Sequence, residues 1–262
     1  MIEFLRQTTF SVNEVIAKAW HITKHHYFSL ALLCFLMFAT LSFSSLLAIF
    51  LKDINQFLNV ALFLVFISTY LLCALSLFKF IFHLLDHEAE ELSLAETLPT
   101  KKQMINFLIA SFYFTLCVLG VYMVVALLVF PFIYTGINFQ LLTNLAISVG
   151  LGAIFITWLR ISFFPFFIID KNEQPFKSLK LSLAITKGNF FKILLLLFIL
   201  GFFQVMYLVL NYFQLTVIAT FVNILSSFII IPLSSVALTV AYRKMTDEYK
   251  GDQEPEILAN II

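Results

Sequence analysis

The chain alternates long apolar runs with short polar breaks, and six of the runs are long enough to cross a bilayer. About 20 predominantly apolar residues suffice for a helical span. The first run, Tyr27–Leu51, carries no charge, and the second, Phe57–Phe78, follows the turn Lys52-Asp53-Ile54-Asn55-Gln56 and is extended past Lys79 toward Leu85. Ile105–Phe130, Leu141–Leu159, Ile193–Leu210 and Leu215–Tyr242 complete the set. Arg160 interrupts the fourth run, which then continues to Ile169, and Pro232 predicts a kink in the sixth. The expected fold is all-α: a polytopic membrane bundle of six transmembrane helices in three hairpins, each hairpin preceded by a cytoplasmic interfacial helix.

The interfacial helices are read from polar segments with helical periodicity. In Ser11–Lys24, Glu14, Lys18, His21 and His25 fall on one face, while Val12, Val15, Ile16 and Ala19 lie elsewhere. Ser11-Val-Asn-Glu14 fits a capping box, in which the two polar side chains satisfy orphan backbone donors, and Glu14 and Lys18 form an i,i+4 pair. Such a helix lies on the membrane surface. Between Asp86 and Lys102 the chain is polar and mostly acidic, with a second box at Ser93-Leu-Ala-Glu96 and Pro99 to end any helix. Asp170–Gln174 reads as a hinge, and Pro175 starts the third interfacial helix. There Lys177, Lys180 and Lys187 share a face with Ala184, and Ser178, Ser182 and Thr186 form a stripe of small residues flanked by Phe176, Leu179, Leu181, Leu183 and Ile185. Small stripes let helices approach closely, so this one is expected to pack on the bundle. The lysines are expected to meet anionic headgroups, at about 1 kcal/mol each; a solvated basic face with no lipid role is an equal alternative.

The same markers recur at intervals of about 80 residues, the kind of period that indicates a repeated unit. Ile22-Thr23-Lys24 returns as Ile185-Thr186-Lys187, each followed by an aromatic pair, Tyr27-Phe28 and Phe190-Phe191. The second helix of each hairpin ends in a basic residue: Lys79, Arg160 and Arg243. The expected organisation is one transmembrane domain over 1–262, with approximate repeats at 11–86, 93–169 and 174–244 and a polar cytoplasmic tail at 245–262. Regular hairpins with basic inner ends would also occur without a true repeat.

An Arg near a span end, a Phe-rich continuation, an Asp-led hinge and an interfacial helix with Ser and Lys occupy 157–192. This pattern, with Ala-Leu-Thr-Val-Ala-Tyr-Arg-Lys at 237–244, resembles a bacterial membrane-domain superfamily. That superfamily includes the YciC-like proteins and the membrane domain of some glycerophosphodiester phosphodiesterases. The resemblance implies a six-span integral membrane domain and no established biochemical activity. No soluble phosphodiesterase domain is expected with this chain, so that activity is not carried over.

Composition agrees with the pattern. The chain is 61% hydrophobic and 12% charged, with 33 Phe and a mean hydropathy of +1.00; soluble domains carry about 25% charged residues. A net charge of +1 gives no case for nucleic acid. The distribution is more informative: placing the N-terminus inside puts every basic residue except Lys52 on interior segments or span ends. The expected location is a bacterial cytoplasmic (inner) membrane with both termini in the cytoplasm. Charges spread through the first 26 residues do not make a cleavable signal peptide, so the N-terminus is expected to remain on the protein. Cys34, Cys73 and Cys117 lie apart in apolar runs and read as core residues.

Three groups of residues carry candidate chemistry. Lys79, Arg160 and Arg243 are charges near or within spans, where charge is costly and often functional. Packed around a pseudo-threefold axis they would form an anion or lipid-phosphate site; independent snorkelling to the headgroups is the simpler reading. Lys177, Lys180 and Lys187 form the interfacial basic face. His21/His25 and His83/His87 have the spacing of helical metal-ligand pairs, but neither carries the HExxH glutamate or a cysteine partner, and surface histidines are the stronger reading. No cofactor is implied, and there is no GxSxG, P-loop or GxGxxG. The leading expectation is a non-enzymatic scaffold, accessory or regulatory module engaging lipids, including anionic ones, and partner membrane proteins. The alternative is a transporter or lipid-handling protein with an anion site near the cytoplasmic side. A membrane enzyme ranks third.

Overall fold

A computed structural model describes residues 10–51, 56–86, 96–135 and 138–248. All regular structure there is helical: α1 (Val12–His25), α2 (Tyr27–Leu51), α3 (Gln56–Asp86), α4 (Lys101–Val129), a 3-10 turn (Phe130–Thr135), α5 (Phe139–Ile161), α6 (Phe164–Lys171), α7 (Pro175–Thr186), α8 (Phe190–Tyr212), α9 (Thr216–Leu225), a π-turn (Ser226–Ile230) and α10 (Ile231–Glu248). Six stretches are long and apolar enough to cross a membrane: Tyr27–Phe50, Val60–Asp86, Lys101–Phe132, Gln140–Lys171, Phe190–Tyr212 and Thr216–Asp247. The chain is a multi-pass integral membrane protein. Hydroxyls within the spans close on their own helix, as Thr40 does on Leu36 O at 2.7 Å and Ser68 on Leu64 O at 2.7 Å. That satisfies polar groups which lipid cannot.

By contacts the described residues divide into two compact units, one formed by Ile105–Leu194 and the other by residues of 10–104 with Leu195–Asp247. In the first, Ala110, Ile161, Phe164, Ile168 and Leu179 form a buried cluster. Phe164 stacks on Phe107 and Phe114 at centroid distances of 5.6 and 6.1 Å. In the second, α2 and α3 pack as a hairpin, and Phe10, Val15, Leu30, Ile81 and Tyr242 are among the fully buried side chains. The Tyr242 ring meets Phe82 edge-on at 5.5 Å.

Burial is uneven along the hairpins. In the α2–α3 hairpin it covers the start of α2 and the end of α3, and no described residue between 35 and 74 is buried. In the α4–α5 pair Gln103, Ala110, Leu159 and Ile161 are buried and Leu127 and Leu128 are 72% and 66% exposed, while Leu142 near the distal turn is also buried.

Several local expectations need correction. Ser11 has N-cap geometry but its side chain makes no capping bond. The Glu14 carboxylate reaches Lys244 on α10 instead. Ser93 lies outside the described residues, as does most of the second expected interfacial helix. A capping box is found at Thr100-x-x-Gln103: Thr100 N–H donates to Gln103 Oε1 (2.9 Å) and Gln103 N–H to Thr100 Oγ1 (3.3 Å). The fourth run is not one continuous helix, because Ser162 and Phe163 form a turn between α5 and α6. Pro165 follows in the first turn of α6, where it has no N–H to offer the Ile161 carbonyl. The hinge is shorter than Asp170–Gln174: Asp170 and Lys171 are still helical, and Asn172, at φ 51°, ends α6 in the left-handed conformation.

Candidate functional site

Pro165 and the preceding turn interrupt the α-helical ladder, so backbone groups around Arg160 need other partners. The small stripe of α7 supplies them. Ser182 Oγ donates to Arg160 O at 2.8 Å and accepts the Phe163 N–H at 3.2 Å, bridging the break. Thr186 Oγ1 lies 3.1 Å from the same Arg160 carbonyl, 2.8 Å from Ser182 O and 3.2 Å from Leu183 O, so its one proton is shared among them. Ser178, Ser182 and Thr186 are all fully buried. Tight packing of this stripe was legible in the sequence. Its hydrogen bonding was not, although Pro165, five residues after Arg160, is the signal that carbonyls there lose their partners.

The Arg160 side chain is engaged at the same joint: Nη2 donates to Leu183 O on α7 at 3.1 Å. The other two span-end cations behave alike. Lys79 Nζ donates to Leu98 O at 2.8 Å, in the segment leading into α4. Arg243 pairs with Asp86 at 2.6 Å, with its guanidinium carbon 4.9 Å from the centroid of the Phe82 ring. Its neighbour Lys244 pairs with Glu14 on α1. A basic residue at the end of one hairpin thus reaches the segment entering the next, and from the last hairpin the contact is to the first entering helix. Each of the three cations has an acceptor from its own chain.

The interfacial lysines divide. Lys177 pairs with Glu173 at 3.3 Å, and Lys180 Nζ sits 5.1 Å from the centroid of the half-exposed Phe176 ring. Lys187 is the C-cap, in extended conformation, so it leaves the helical face that the wheel assigned it. Of the histidines, His21 and His25 share a face with ring centroids 4.5 Å apart, while His87 lies outside the described residues. Among the described residues no group of three His, Cys, Asp or Glu could hold a metal ion.

A second proline produces a comparable repair. Pro232 has no N–H for the Phe228 carbonyl four residues back, and the Tyr27 hydroxyl donates to that carbonyl at 3.1 Å. The helix adopts π geometry over Ser226–Ile230, just before the proline. Beside it lies an apolar groove of about 210 Å³ between α2 and α9–α10, lined by residues including Ala31, Cys34, Phe38, Asn223, Ser227 and Ile231. A separate recess of about 320 Å³ lies between α4 and α5. No family model, curated protein or solved structure matches the chain. The superfamily resemblance stays an expectation drawn from residues 157–192 and 235–244.

Proposed function

We propose that this protein is a non-enzymatic module of a bacterial cytoplasmic membrane, with both termini in the cytoplasm, that engages lipids and the spans of partner membrane proteins. The observation that carries this reading is the engagement of Lys79, Arg160 and Arg243 by acceptors of their own chain. A solute or anion carrier needs cations held ready for the cargo, whereas these join each hairpin to the next entering segment. Large apolar side chains along the spans, such as Ile49, Leu127 and Val217, are exposed and would meet the bilayer or partner spans. Lys177 and Lys180, with Phe176 beside them, suit an interface with anionic headgroups.

The test is thermal unfolding of the purified protein in detergent across a titration of inorganic phosphate. The scaffold reading predicts a Tm that does not move with phosphate and a lower Tm for Arg160→Leu, which loses a charge-assisted bond of about 1.5–3 kcal/mol. A saturable rise of Tm with phosphate that Arg160→Leu abolishes would establish the anion site and overturn the scaffold reading.

A further inference from the structure

We infer that the groove beside the π-turn holds one acyl chain of an anionic phospholipid, with its phosphate at the C-terminal end of α1. This rests on the reading that α2 and α9–α10 cross the bilayer while α1 lies on its surface. The groove's α2 wall is the stripe Ala31, Cys34 and Phe38, and its other wall includes Asn223, Ser227 and Ile231. Ser227 Oγ donates to Asn223 O at 2.9 Å, so that hydroxyl is satisfied within its own helix and leaves the wall apolar there.

Size selects the occupant. One turn of a helix about 10–12 Å across, with a pitch of about 5.4 Å, fills roughly 500 Å³, more than a recess of about 210 Å³ can take. An extended hydrocarbon chain has no such width. Depth agrees: at 1.5 Å per residue, the α2 lining from Ala31 to Phe38 runs roughly 10 Å, within the about 15 Å of half a hydrocarbon core. The groove therefore covers one leaflet and does not cross the membrane.

Charge complementarity selects the headgroup. Tyr27 sits one turn before Ala31 on α2, and its hydroxyl is bound to Phe228, whose residue also lines the groove. Just before it, at the end of α1, Lys24, His21 and His25 are exposed, with Trp20 at 51% exposure. Lys24 and the imidazoles, close in sequence to the Tyr27 that binds Phe228, offer donors suited to a phosphate, and an exposed tryptophan suits the headgroup layer. The π-turn accounts for the recess itself, since it displaces one helical register where Pro232 breaks the ladder.

The experiment is native mass spectrometry of the purified chain released from nanodiscs of equimolar phosphatidylglycerol and phosphatidylcholine. One phosphatidylglycerol per chain is expected to stay bound. Ala31→Phe and Ile231→Trp, which fill the groove from opposite walls, are expected to lose it while keeping wild-type circular dichroism. Lys24→Gln, at an exposed position, is expected to lower the phosphatidylglycerol-to-phosphatidylcholine adduct ratio about fivefold. Absence of retained lipid in the wild type, retention in a folded groove-filled variant, or an unchanged ratio in Lys24→Gln would each overturn the inference. None of these results bears on the phosphate titration at Arg160, so the two readings fail separately.

Discussion

Hydroxyl groups at Ser182 and Thr186 decide whether the α5–α6 break is tolerable. Ser182 serves two backbone groups, the Arg160 carbonyl and the Phe163 N–H, and is fully buried. Removing it leaves a buried donor without its partner, a loss of about 1–3 kcal/mol. Thermal unfolding in detergent is therefore expected to show a clear drop in Tm for Ser182→Ala. Thr186→Val should cost less, because Ser182 still serves the Arg160 carbonyl. Equal effects would mean that the stripe acts through packing alone. Thr23, which the sequence repeat aligns with Thr186, is also buried, but its hydroxyl has no hydrogen-bond partner among the described residues. The recurring Ile-Thr-Lys signature thus marks two buried threonines with different bonding.

Helix existence was legible at the scale of elements, and helix interruption was only partly so. Charge-free runs gave all six spans, because apolar length is a sufficient signal in lipid. Pro232 was read as a kink, and the structure places a π-turn immediately before it. Pro165 is masked by the run of phenylalanines around it, although it sits at the break that organises the α5–α7 joint. The capping boxes show why local patterns mislead. Ser11-x-x-Glu14 fits the motif, but Glu14 engages Lys244, more than 200 residues on, so a tertiary ion pair replaced the local bond. Thr100-x-x-Gln103 fits equally well and does form the box. Thr100→Ala should accordingly destabilise the start of α4 by about 0.5–2 kcal/mol, read as a lower Tm. Ser11→Ala should leave Tm nearly unchanged.

For the whole molecule the informative feature is where burial stops. The α2–α3 hairpin is packed toward its Lys79 end and exposed toward its distal turn, and large apolar side chains are exposed near the distal turns of all three hairpins, with Ile49, Leu127 and Val217 at 69%, 72% and 82% exposure. Composition gave the membrane setting and the position of the cations. It could not give their partners, since Leu98 and Leu183 accept through main-chain carbonyls that carry no sequence signature. If these exposed faces receive partner spans as well as lipid, they will be in contact with protein in the native membrane. Site-specific photo-crosslinking in intact cells, with a benzophenone side chain at Leu127 or Val217, measures this directly. Discrete protein adducts, to another membrane protein or to a second copy of the chain, are the predicted result, and adducts to lipid alone at both positions would contradict the proposal.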